Sequence, residues 1–114
     1  MAVPELSDDA RRAALEKAAA ARRVRAALKQ QLRDGELTLE EVVRRGRDPR
    51  TEEDIVLSKT KVSAVLESIP RIGKKTARRT MELLDISESR RLRGLGDKQT
   101  ERLLEAFDGK RPTF

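Results

Sequence analysis

Apolar positions between residues 62 and 84 set the frame for the rest of the chain. Val62, Val65, Leu66 and Ile69 recur at spacings of three and four, which predicts a helix ending near Ile69. Pro70 stops that helix, because proline has no N–H to donate and biases the preceding residue away from helical geometry. A second stripe, Ala77, Met81 and Leu84, predicts another helix a few residues later. The connection is Pro70-Arg71-Ile72-Gly73, in which Gly73 can take a backbone conformation closed to other residues and sits where the next helix opens.

Upstream, Ser7 is a good N-cap, followed by Asp8 and Asp9 where the helix dipole favours acids. Nothing interrupts a helix from there to Asp34, and Gly35 ends it. Such a helix is roughly 40 Å long at about 1.5 Å per residue. Its larger apolar residues, Val24, Leu28 and Leu32, lie in the second half, while the first half offers mostly alanine and Leu15. The second half is therefore expected to pack on the body and the first half to project. Thr38-Leu-Glu-Glu41 reads as a capping box that opens a short helix closed by Gly46. Asp48-Pro49 predicts a further helix with proline in its first position and Ile55, Val56 and Leu57 on its buried face. The last helix is expected to be capped by Asp97 and to run to Phe107, with Leu103, Leu104 and Phe107 in the core. The pattern predicts an all-α protein. It comprises a loose tail (1–6), a long N-terminal helix (7–34), a compact helical domain (35–109) and a second tail (110–114).

Composition narrows the chemistry. The chain has 114 residues, no internal repeat, and 37% apolar residues, many of them alanine, so one domain with a modest core is expected. It contains no cysteine, histidine, tryptophan or tyrosine. That excludes disulfides, most transition-metal sites and Ser-His or Cys-His nucleophiles, and no cofactor is implied. There is no apolar run long enough to span a membrane, and the first residues do not read as a signal peptide, so a cytosolic protein is expected. The net charge of +6 points to an acidic polymer or surface as partner.

That charge is unevenly spread. From Lys61 to Gly96 nine basic residues (Lys61, Arg71, Lys74, Lys75, Arg78, Arg79, Arg90, Arg91, Arg93) stand against four acidic ones (Glu67, Glu82, Asp85, Glu88). The stretch from Glu36 to Thr60 leans acidic, which would keep that face off nucleic acid. At the Gly73 junction, the first turn of a helix leaves N–H groups unpaired, and its dipole adds partial positive charge. A phosphate can dock there if no side chain stands in the way, and Lys74 and Lys75 add charge beside it. A nucleotide-binding P-loop is rejected, because it would need glycine where Ser68 stands and a strand before it. The bland alternative is a helical corner with solvated lysines. Pro70 and Ile72 could wedge against sugars or a base step at the tip, or simply pack within the turn.

The second basic junction is Arg90-Arg91-Leu92-Arg93-Gly94-Leu95-Gly96. Gly-x-Gly alone is weak, but guanidinium pairs bidentately with phosphate and can enter a narrow minor groove. The N-terminal helix is basic as well, read either as a solvated face or as an arm laid along nucleic acid.

From Lys61 to Phe107 the chain resembles the helix–two-turn–helix module of ribosomal protein S13, through Ile69-Pro-Arg-Ile-Gly-Lys-Lys75, Asp85-Ile-Ser87 and Leu95-Gly-Asp-Lys-Gln99. Over nearly its whole length it resembles the actinobacterial integration host factors. The matching stretches are Ala14-Leu-Glu-Lys-Ala-Ala-Ala-Ala-Arg-Arg23, Lys59-Thr-Lys-Val-Ser-Ala64 and Arg90 to Gly96. The stretch from Glu36 to Asp54 and the tail after Gly109 depart from that pattern. The resemblance implies a nucleoid-associated protein that binds and bends duplex DNA, affects supercoiling and assists phage integrase. Carried onto this sequence, the expected DNA contacts are Pro70, Arg71, Ile72, Gly73, Lys74, Lys75, Arg90, Arg91, Arg93 and Gly94. Arg22, Arg23, Lys59 and Lys61 form a candidate second contact. Implied partners are double-stranded DNA, a phage integrase and a topoisomerase, for a protein that is itself monomeric.

Two other classes compete. An RNA-binding or ribosome-associated protein of the S13 type would use the same module, but the chain lacks a long basic C-terminal extension and has only Phe107 and Phe114 for stacking. A DNA glycosylase would use it too, but Pro4 is internal and no zinc ligand set exists, so an enzyme is not expected.

Overall fold

The computed structural model describes residues 7–107; the expected tails at 1–6 and beyond Gly109 lie outside them. Six α-helices and one short 3₁₀ turn make up the described fold, with no named strand among these residues. In order they are α1 (Asp8–Arg33), α2 (Leu39–Arg47), α3 (Glu52–Ser58), α4 (Val62–Glu67), α5 (Lys74–Leu83), the 3₁₀ turn Leu92–Gly94 and α6 (Asp97–Ala106).

Local chemistry starts these helices. The Ser7 hydroxyl accepts the Ala10 N–H at 3.1 Å and opens α1. Gly35, at φ +77°, takes the left-handed conformation that lets the chain leave α1. Thr38 Oγ1 accepts the Glu41 N–H at 3.1 Å at the head of α2. Along α1 every residue from Asp8 to Ala18 is exposed, Leu15 at 65%, whereas Leu28 and Leu32 are buried. The first half of the helix therefore projects. Its second half packs on α3.

Three expected boundaries need correction. Gly46 does not close α2 but lies buried inside it, one residue before its last. A Cβ there would stand 2.7 Å from both Cβ and Cδ1 of Leu92, so the glycine is required by close packing of the 3₁₀ turn on α2. Asp48-Pro49 opens no helix. Asp48 is the C-cap of α2, its N–H donated to the Arg44 carbonyl, and α3 starts at Glu52 behind Thr51, whose hydroxyl accepts the Asp54 N–H at 3.1 Å. Finally, α6 is capped at Gly96 and not Asp97, with the Gln99 side chain accepting the Gly96 N–H at 3.0 Å.

The core is built from the stripes expected on α4 and α5. Val62, Val65, Leu66, Ile69, Ala77 and Met81 meet Leu28 and Leu32 of α1, Val42 and Val43 of α2, and Leu103 and Phe107 at the C-terminal end. On α3 only Leu57 of the three expected residues is fully buried; Val56 is half-buried and Ile55 is exposed. The buried hydroxyls of Ser58, Thr60, Ser68 and Thr80 each donate to a carbonyl three or four residues earlier, so none is left unpaired.

Beneath the mixed-charge surface of α2 and α3 lies an ion pair that the sequence does not announce. Asp54, 5% exposed, accepts from Arg45 Nε at 2.6 Å and from the Arg50 N–H at 3.1 Å. Burial alone would raise its pKa. The Arg45 hydrogen bond and charge, the Arg50 N–H and the Thr51 contact prevail and hold it below the ordinary carboxylate value. The expected acidic face is in fact mixed, with Arg44, Arg45 and Arg50 interleaved among Asp48, Glu52 and Glu53.

Candidate nucleic-acid interface

The turn between α4 and α5 reverses over four residues, Ile69 to Ile72. The Ile72 N–H donates to the Ile69 carbonyl at 3.1 Å, proline occupies the second position, and Arg71 in the third has φ +69°. This is the pattern of a type II turn, whose third position normally holds glycine. The left-handed residue is thus Arg71. Gly73 has φ −89° and ψ 179°, extended backbone open to any residue, so the conformational freedom expected of it is not used. Nothing lies within 4 Å of where a Gly73 Cβ would sit, and no side chain caps α5. The head of α5 is open to solvent, flanked by exposed Lys74 and Lys75.

Pro70 and Arg71 are exposed at the tip, but Ile72 is 6% exposed and belongs to the core. Its side chain is not a free wedge. Hydrophobicity outweighed position here, since its neighbours Ile69 and Met81 also face the core.

The second junction is fastened to the chain between α3 and α4. The Val62 N–H donates to the Arg90 carbonyl at 2.9 Å and the Leu92 N–H to the Thr60 carbonyl at 3.0 Å, so Lys61 and Arg91 lie opposite each other. Arg91 Nη1 reaches the Lys59 carbonyl at 2.9 Å. Leu92, fully buried, anchors the loop against Gly46. Arg90 is half-buried and donates through Nη1 to the Gly94 carbonyl at 2.9 Å, whereas Arg93 is exposed.

Lys61 links the two junctions. It lines a groove of about 210 Å³ with Ser63, Glu67, Lys74, Ala77, Arg78, Met81 and Glu88, which runs between α4 and α5. Arg78 is drawn to Glu88 at 3.0 Å and balanced there. Tertiary structure thereby sets Arg91 beside Lys59 and Lys61, and Lys61 on the same groove as Lys74, where Glu67 and Glu88 also lie. Arg22 and Arg23 are exposed on α1.

Residues 32–107 match the family described as the S13-like H2TH domain. Over 108 residues, 95% of this chain and 98% of the relative, the sequence is 54% identical to the integration host factor of Mycolicibacterium smegmatis. The chain belongs to the integration host factor family. Its likeness to the integration host factors of Mycobacterium tuberculosis (52% identity over 94% of this chain and 97% of the relative) and Streptomyces coelicolor (50% over 94% and 95%) is of the same order. The fold is similar to that of sIHF solved bound to an 8 bp palindromic DNA, with a TM-score of 0.75 at 48% identity. That match covers 82% of this chain and 99% of the other. The all-α fold with a helix–two-turn–helix motif is therefore that of an integration host factor.

Proposed function

We propose that this protein binds double-stranded DNA as an architectural, nucleoid-associated factor. The observation that supports this best is the solved relative: sIHF, whose fold this chain shares, was captured on duplex DNA. The chain's own surface agrees, because the uncapped head of α5 carries exposed Lys74 and Lys75 and shares a groove with Lys61.

In this reading Gly73 and the N–H groups after it hold one phosphate, with Lys74 and Lys75 beside it and Pro70 and Arg71 at the edge. Arg91 and Arg93, beside Gly94, engage an adjacent backbone segment or the minor groove. Lys59 and Lys61 bridge the two, and Arg22 and Arg23 on the projecting helix supply a separate contact. A protein with two such surfaces can bend DNA and alter supercoiling. That role suits assistance to a phage integrase or a topoisomerase, by a monomer working in the nucleoid of the cytoplasm.

The test is a salt titration of binding to a random-sequence DNA duplex, with an RNA duplex of the same sequence in parallel. With about five phosphates neutralised, the log–log slope is expected to be roughly −4.5, and sequence dependence slight. Equal or tighter RNA binding would overturn the proposal in favour of an S13-type RNA role. If DNA binding follows the expected course, circular permutation gels measure the bend.

A further inference from the structure

The arginine loop holds three guanidinium groups within four residues, yet their surroundings differ. Arg93 is exposed and makes no hydrogen bond or ion pair among the described residues. Arg91 is exposed, with one nitrogen on the Lys59 carbonyl and the rest of its fork free. Arg90 is turned inward. Its Nη1 donates to the Gly94 carbonyl at 2.9 Å, and its Nε is buried without any hydrogen-bond partner. A Cβ on Gly94 would approach Arg90 Cδ to 3.1 Å, so the side chain lies flat against the glycine backbone. Leaving a buried guanidinium N–H unpaired is costly. The backbone closes the 3₁₀ turn through the Gly94 and Leu95 N–H groups, and the Arg90 side chain braces that turn, which carries Arg93, at the Gly94 carbonyl.

From this we infer that Arg90 is a positioning residue and not a phosphate contact: it clasps the Gly94 carbonyl and holds the loop so that Arg91 and Arg93 present their guanidinium groups to DNA. The inference rests on the proposed DNA-binding role and divides the labour within it. Arg90 holds the loop from inside, through Gly94, while its backbone carbonyl fixes the head of α4 through Val62. A side chain at Gly94 would press on Arg90 Cδ and shift it by a few tenths of an ångström. The third arginine of the cluster thus contributes geometry, and its charge stays out of the counterion exchange.

Salt dependence separates the two roles. Removing one cation that neutralises a phosphate makes the log–log slope shallower by about 0.9, whereas a loosened loop weakens binding at every salt concentration alike. The experiment measures duplex DNA affinity from low to high salt for the whole protein and for Arg93→Gln, Arg90→Gln, Gly94→Ala and the double variant Arg90→Gln/Gly94→Ala, each checked by thermal melting. Arg93→Gln is expected to weaken binding and make the slope shallower by about 0.9. Arg90→Gln is expected to weaken binding about tenfold with the slope unchanged. Gly94→Ala keeps every charge and is expected to do the same, and the double variant to be no weaker than Arg90→Gln alone, since both break one clasp. A slope change of about 0.9 for Arg90→Gln, or wild-type affinity for Arg90→Gln or Gly94→Ala, overturns the inference. If Arg90→Gln fails to fold, Gly94→Ala decides by the same criteria. A wild-type protein without salt-dependent DNA affinity would instead overturn the DNA-binding role itself.

Discussion

Arg71 sits where a type II turn normally places glycine, at φ +69°, and a side chain in that region costs about 1 kcal/mol. Arg71 is exposed at the tip of the candidate interface, where its guanidinium can reach a partner. Arg71→Gly is expected to raise unfolding stability by about 1 kcal/mol in urea titrations. The same change should weaken DNA binding and make its salt slope shallower by about 0.9. Unchanged affinity would reduce Arg71 to a turn residue. Asp54 carries the second prediction at this scale. Its folded-state pKa is lowered, so its stabilising effect is present above the unfolded value, near 3.8, and is lost as pH falls through the lower folded value. Acid denaturation curves should therefore show wild type losing stability below about pH 4 relative to Asp54→Asn, which begins weaker at neutral pH and changes less. Residue types that mark nucleic-acid contacts are legible in the sequence, but their conformations are not. Gly73 draws the expectation of special backbone geometry because it is glycine. The turn's hydrogen bond places that geometry two residues earlier.

Between elements, the decisive contact is Leu92 against Gly46. It holds the arginine loop on α2, and with it the register of Lys61 opposite Arg91. Gly46→Ala introduces a Cβ at 2.7 Å from the Leu92 Cβ, near backbone that cannot swing away. We expect a stability loss of about 1–3 kcal/mol by chemical denaturation and weaker DNA binding as the loop lifts. A neutral outcome would show that α2 and the loop can slide apart freely. The helices themselves are legible because their apolar stripes and caps are local, as with Ser7, Thr38 and the run from Val62 to Ile69. Gly46 reads as a helix end for the same reason: glycine is common there, and its actual partner is far away in the chain.

The molecule as a whole extends 53 × 33 × 26 Å, with α1 reaching out from the body. Nothing between Asp8 and Ala18 is buried. Deleting residues 1–18 is accordingly expected to leave a cooperative thermal transition within about 5 °C of wild type. DNA affinity should fall if the projecting half of α1 lies along DNA, as proposed for the nearby Arg22 and Arg23. Loss of the transition would show that the helix stabilises the body through contacts beyond Leu28 and Leu32. Unchanged affinity would show that residues 1–18 make no DNA contact, the contact proposed at Arg22 and Arg23 being retained in the variant.

Sequence alone determined what depends on near neighbours: helix periodicity, the caps at Ser7 and Thr38, the stop at Gly35, the proline stop before Arg71, and the concentration of basic residues around two junctions. Tertiary structure decided what depends on distant pairs. It buried Ile72, paired Arg45 with Asp54, spent Arg78 on Glu88, and set Lys61 between Arg91 and Lys74. The physical reason is range. Backbone hydrogen bonds and capping act within four residues, while burial and charge pairing depend on which surfaces meet once the helices have packed.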